Sequence, residues 1–99
     1  MSEHDPIAIE HSEEQGQGAF VVMRDGRRLA EMTYVRTGDV EITIDHTEVS
    51  EELRGVGVAR KLLDTAVAWA RATGTKVRAT CPYAKSQFER DPSLRDVLA

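Results

Sequence analysis

Apolar residues alternate with polar ones over the first half of the chain and recur at helical spacing over the second. Phe20 and Val22 alternate with Val21 and Met23, and Asp25-Gly26 follows as a hairpin signal. Arg27 to Val35 then puts Ala30, Met32 and Tyr34 on one face. A second turn, Thr37-Gly38-Asp39, leads into the cleanest period-2 run: Val40, Ile42 and Ile44 inward, Glu41, Thr43 and Asp45 outward. Together these segments predict a three-stranded antiparallel meander. Upstream, the first 18 residues are polar and acidic, end in Gln15-Gly16-Gln17-Gly18, and offer only Ile7-Ala8-Ile9 as a short edge strand. The strand over 19–24 is then an exposed one, able to pair across a dimer, so a monomer or weak dimer is expected.

The period changes after residue 55. Val58, Leu62, Leu63, Ala66, Val67 and Ala70 recur at helical spacing, which predicts a helix over about residues 56–73 with Gly74 as its cap. Lys76 to Pro82 returns to period 2 with Val77, Ala79 and Cys81 on one face. Ala84 to Arg90 reads as a short helix stopped by Asp91-Pro92, and Ser93 to Leu98 as a final turn. The fold class expected is α+β: an antiparallel meander, a β-α-β crossover and a short C-terminal helix. If the crossover strands 40–46 and 76–82 are parallel neighbours, both end beside residues 53–59, at the carboxyl edge that ligands of such sheets favour. One domain is expected over residues 7–98, with a flexible acidic leader over 1–6.

Composition narrows the function classes. Residues 1–52 hold 13 acids against 4 bases, and residues 53–99 hold 9 bases against 4 acids. An acidic whole argues against a general nucleic-acid binder, whereas a locally basic second half suits a small anionic ligand or is only solvated charge. No apolar stretch is long enough to span a bilayer, and the N-terminus lacks a secretory pattern. No membrane partner is expected, and a cytoplasmic location is. Cys81, the only cysteine, leaves no intramolecular disulfide and no multi-cysteine metal site, and no metal is expected.

Leu53-Arg54-Gly55-Val56-Gly57-Val58-Ala59 opens directly into the long helix. Helix N-termini carry unpartnered N–H groups and the positive end of the dipole. Glycines let a phosphate approach those donors, and Arg54 adds a permanent cation of matching geometry. The segment is neither a Walker loop nor a dinucleotide fingerprint; it is an anion cradle or a plain glycine-rich turn.

Arg54-Gly55-Val56-Gly57-Val58-Ala59 resembles the R/Q-x-x-G-x-G/A motif of the GNAT superfamily of N-acetyltransferases, whose loop binds the pyrophosphate of coenzyme A. His46-Thr47-Glu48-Val49 before it, Cys81-Pro82-Tyr83 after it and Phe88-Glu89-Arg90-Asp91-Pro92-Ser93 at the close resemble the minimal GNAT-like subfamily. The resemblance covers about residues 7–98. It departs at Ser50, where relatives often carry proline; serine there is suited to cap a turn at Glu51-Glu52-Leu53. It implies acetyl-CoA as cofactor, bound by Val49, Leu53, Arg54, Gly55, Val56, Gly57, Val58, Ala59 and Arg60. Arg60 and Lys61 either touch the phosphates or form the helix's solvated face.

Acetyl transfer to an amine needs a neutral, positioned amine, a donor for the developing oxyanion and a proton for the departing thiolate. His46 continues the parity of Val40, Ile42 and Ile44, so it is expected on the inner face as the base, or as a satisfied interior histidine. Cys81 is a nucleophile activated by His46, or a small buried hydrophobe. Tyr83, by the resemblance, protonates the leaving thiolate, or simply closes the core. Glu48 and Glu52 are further bases acting through water, Trp69 is packing on the helix flank, and His4 and His11 are expected in solvent. The leading reading is an acetyl-CoA-dependent acyltransferase with an amine acceptor that the sequence does not name, with or without an acyl-cysteine. The alternative is a coenzyme A-binding module with weak or no catalysis, acting as a sensor or interaction domain.

Overall fold

Two tight turns fold the front of the chain into consecutive hairpins. Gln15-Gly16 takes φ of 54° and 79°, and Asp25-Gly26 takes 53° and 77°, values that suit the type I′ turns joining paired strands. They link β1 (Ile9–Glu14), β2 (Gln17–Arg24) and β3 (Arg27–Gly38), and β3 returns as β4 (Glu41–Val49). The computed structural model describes residues 8–99; the leader expected over 1–6, with His4, and Ile7 of the expected edge strand lie outside them. The meander therefore has four strands rather than three. Residues 9–14 pair with residues 17–22 of β2, from Ile9↔Val22 to Glu14↔Gln17. Residues 19–22, expected at an exposed edge, are thus interior to the sheet.

Two of the three inward residues of β1 are polar, which hides the strand in the sequence. Ile9, His11 and Glu13 lie opposite Val22, Phe20 and Gly18. The His11 ring stacks on Phe20 at 4.1 Å, and its Nε2 lies 2.7 Å from the Tyr34 hydroxyl. Tyr34 donates to Glu13 at 2.9 Å, and Arg36 grips the same carboxylate at 2.6 and 2.8 Å. A Cβ at Gly18 would stand 2.1 Å from the Tyr34 ring, so the ring's seat requires glycine. Trp69 stacks on Tyr34 from the helix side, 5.8 Å between centroids. His11, expected in solvent, is an exposed residue of the edge strand whose ring nonetheless joins this cluster, and partial desolvation lowers its proton affinity.

The long helix α1 (Val58–Thr73) buries Val58, Leu62, Leu63, Ala66, Val67 and Ala70 in one core with Phe20, Met32, Tyr34, Ile42 and Ile44 of the sheet. Each of its larger apolar side chains contributes roughly 1.5–3 kcal/mol by leaving water. Gly74, at φ 71° and ψ 22°, ends the helix as its spacing foretells. β5 (Lys76–Ala79) then runs parallel to β4, from Glu41↔Lys76 to Ile44↔Ala79, completing the crossover. It is shorter than the period suggests, because α2 (Pro82–Arg90) begins with proline in its first turn. Asp91 ends α2, and its carboxylate accepts the Ser93 N–H at 3.0 Å to start a 3-10 segment, Pro92–Val97. Val40, expected inward, precedes β4 and is 57% exposed; its carbonyl instead receives the Lys76 N–H at 2.7 Å.

One irregularity decides which way the end of β4 faces. Opposite β3, Tyr34 pairs with Ile44 but Thr33 pairs with His46. Asp45 is the extra residue of a bulge, and a bulge reverses the facing of everything beyond it. Thr47 therefore turns inward opposite Met32, while His46 turns outward beside Thr33. Among the described residues no helix is long and apolar enough to cross a membrane.

Candidate functional site

The crossover strands part company at Ile44. Its carbonyl receives the Thr80 N–H at 2.9 Å and the Cys81 N–H at 3.1 Å, and no pairing between β4 and β5 continues past it. β4 runs on to Val49, held only by β3, while the other chain turns away into α2. The result is a wedge at the carboxyl edge of the sheet, between the last residues of β4 and the start of α2. The loop before α1 lies at the same edge.

That loop is built to leave donors free. Ser50 caps a 3-10 turn over Glu51–Leu53 by accepting the Glu52 N–H at 3.3 Å, the role its sequence suggests. Leu53 is buried and anchors the turn, and Arg54 donates from Nε to the Val49 carbonyl at 3.3 Å, which lays its stem along β4. Gly55 and Gly57 then adopt φ of 85° and 76°, a left-handed backbone costly for other residues. A Cβ on either would meet nothing within 4 Å, so both glycines face open space. No side chain caps α1, and no acid occupies its first turn. Its first N–H groups, which have no partner within the helix, stay available beside the positive dipole end. Such a backbone fits a pyrophosphate. The side chains of Leu53 and Val58 belong to the core, so their share in such a site is backbone; Val56, 55% exposed, stands on the loop's outer surface.

Arg60, expected among the cofactor contacts or on the solvated face, has its guanidinium engaged by other side chains. Its Nε donates to Asp64 at 2.8 Å and Nη1 to Gln87 at 2.9 Å, and Nη2 pairs with Asp91. All three nitrogens are engaged by the second turn of α1 and by the end of α2. The two carboxylates push its proton affinity further up, and Asp91 is held down to about 2, first by Ser93 and then by Arg60.

Cys81 and His46 lie on opposite faces of the sheet. Cys81 is buried at the start of α2, and its sulfur meets Thr47 Oγ1 at 3.2 Å, because the bulge turns Thr47 inward. His46, on the outer face, is half exposed, its Nε2 3.4 Å from Glu48 and 3.7 Å from Glu31. A base–thiol couple between His46 and Cys81 is therefore excluded. Ligand atoms of Glu31, His46 and Glu48 come within 4.8 Å of one another, a grouping that the period-2 reading could not give. Tyr83, second residue of α2, is partly buried against the core. Burial raises its proton affinity most, Arg60 opposes this and Asp64 adds to it, so the phenol keeps its proton.

Comparison with known proteins agrees with this arrangement. The family described as GCN5-related N-acetyl-transferase matches residues 19–97. The solution structure of a GCN5-like protein from Staphylococcus aureus is 38% identical, covers 91% of this chain and 87% of its own, and superposes with a TM-score of 0.68. Protein NATD1 of Homo sapiens is 30% identical over 88 residues, 88% of this chain and 76% of that protein. The ribosomal-protein-alanine N-acetyltransferase of Brucella melitensis shares the fold alone, with 18% identity, a TM-score of 0.60, and 88% of this chain and 66% of that one covered. By sequence and by fold, the chain belongs to the GCN5-related N-acetyltransferase family.

Proposed function

We propose that this protein moves an acetyl group from acetyl-CoA to an amine acceptor by direct attack in the wedge where β4 and β5 part. One observation carries the reading: two left-handed glycines under open space lead into a helix start that has neither a side-chain cap nor an acid. The backbone of Gly55, Val56, Gly57, Val58 and Ala59 would hold the pyrophosphate, with Arg54 as its cation and Val49 and Leu53 shaping the floor. Acetyl-CoA supplies an activated thioester there.

The remaining work falls to the chain's own side chains. His46, outward beside the wedge, takes the proton of the acceptor amine at Nε2. The carboxylates around it, Glu31, Asp45 and Glu48, make a field that draws a protonated amine to that face. Tyr83, which keeps its phenol proton at neutral pH, gives it to the departing sulfur. Cys81, buried and without a base, packs rather than reacts. The inner-face location of His46 inferred from strand parity is thereby replaced by an acceptor-side role.

Amine-dependent release of free thiol from acetyl-CoA tests this, with a panel of polyamines, lysine peptides and free N-terminal peptides. Cys81→Ser should keep turnover and carry no acetyl label in mass spectrometry. Coenzyme A binding without turnover for any amine would favour the sensor or interaction module instead, and an acetylated Cys81 on the path would overturn direct transfer.

A further inference from the structure

We propose that Arg60, acting through Gln87 and Asp91, is the positioning residue that fixes Tyr83 against the first turn of α1, and that it does not hold phosphate. The inference rests on the acetyl-transfer reading. Tyr83 and Gln87 lie four residues apart on one stripe of α2, and Asp91 caps the end of the helix one turn further on. Gln87 and the cap residue Asp91 grip the same guanidinium, Gln87 at 2.9 Å and Asp91 through Nη2. Tyr83 stands one turn before Gln87 on that same side of the helix.

The clamp is the tie to α1, whereas Arg95, donating to the Phe88 and Glu89 carbonyls at 3.1 and 2.5 Å, ties the rear of α2 to the 3-10 segment that follows; α2 itself is short. It has nine residues and buries only Ala84 and Phe88. Its front end is tied to β4 by the Cys81 N–H on the Ile44 carbonyl. Its rear end is tied to α1 by Arg60, whose other bond, to Asp64, holds the guanidinium upright on its own helix. Tyr83 sits between the two ties. Arg60 and Asp91 side chains are 36% and 29% exposed, sheltered enough for a fixed geometry. A guanidinium already shared between two carboxylates also has little net charge left for a phosphate.

The experiment compares the wild type with Arg60→Gln, Asp91→Asn and the double variant in three measurements. Calorimetry with coenzyme A should give dissociation constants within about twofold of wild type, well short of the loss expected when a charge-assisted bond to a phosphate is removed. Steady-state kinetics with the best amine should give kcat lowered about 10- to 100-fold in each single variant, the scale of a misplaced catalytic group. The double variant should be no worse than the worse single one, as for partners in one interaction. Tyrosine Cζ resonances recorded against pH should show the Tyr83 ionisation midpoint rising in Arg60→Gln, since a nearby positive charge is lost while Asp64 remains. Weaker coenzyme A binding in Arg60→Gln with kcat preserved would make Arg60 a phosphate ligand and overturn the proposal, as would unchanged kinetics in both single variants. If wild type fails to bind coenzyme A, the acetyl-transfer reading fails, and an unmoved Tyr83 midpoint would then sink the clamp separately. Should Arg60→Gln not fold, Asp91→Asn and Gln87→Ala carry the same test, because neither removes a cation that phosphate could use.

Discussion

Gly57 and Gly74 bracket α1 with nearly the same backbone, φ 76° and ψ 23° at the start and φ 71° and ψ 22° at the end. Neither has an atom within 4 Å of the position a Cβ would take. Alanine at either site therefore costs left-handed strain alone, about 1–2 kcal/mol. Each kilocalorie should lower the melting temperature of a domain this small by about 4–8 °C. The two variants are thus matched in stability, and only Gly57→Ala places a methyl group over the N-terminal amides. If a phosphate must approach those amides, one lost charge-assisted bond costs about 1.5–3 kcal/mol. That is roughly a 10- to 150-fold rise in the dissociation constant for coenzyme A. Calorimetric titration beside a thermal melt reads both effects. Equal coenzyme A binding by folded Gly57→Ala and Gly74→Ala would show that the loop is an ordinary turn and refute the site.

Tyr83→Phe should leave coenzyme A affinity intact and lower kcat by about 100-fold, the lower end for loss of a general acid; an unchanged kcat would remove Tyr83 from the chemistry. Gly18→Ala should destabilise by about 1–3 kcal/mol, as overpacking does, because its Cβ would stand 2.1 Å from the Tyr34 ring; a chemical-denaturation curve checks this. Glu13 is held down to about 2 against an ordinary 4.5, so its stabilisation is complete above 4.5 and lost as pH falls from there toward about 2. His11, shifted below its ordinary 6.5 by burial, likewise stabilises above 6.5 and less as pH falls. Trp69, the one tryptophan, packs on Tyr34, and its emission should report loosening of β1 over the acid range; Glu13→Gln should flatten the response below 4.5.

Where side-chain period and backbone period agree, the sequence is legible. The run Ile42-Ile44, the helical spacing from Val58 to Ala70, Gly74 as a stop and Ser50 as a cap all stand where their chemistry puts them. β1 is hidden because its inward residues include His11 and Glu13, which are satisfied by Tyr34 and Arg36 from a strand more than 20 residues away. No local pattern announces such a partnership. The facing of His46 escapes the sequence for a different reason. Parity counts residues, and the bulge at Asp45 adds one without any change in composition. A single slip is enough to move the histidine to the outer face and bring Thr47 to the sulfur of Cys81. The partners of Arg60 are equally hidden, because a cation one turn into a helix gives no sign of a clamp to Gln87 and Asp91 until the two helices are seen together.

The most direct test of coenzyme A binding at the 53–59 loop is a nitrogen–proton correlation spectrum of the labelled protein during titration with acetyl-CoA. Saturable shifts are expected at the backbone amides of Gly55, Gly57, Val58 and Ala59, extending along β4 from Asp45 to Val49 and to Tyr83 in α2. Amides of His11 and Glu13, the β1 members of the Tyr34 cluster at the far margin of the sheet, should stay still. Shifts centred on that cluster, or a spectrum that does not respond to acetyl-CoA, would contradict the assignment of the 53–59 loop as the coenzyme A site.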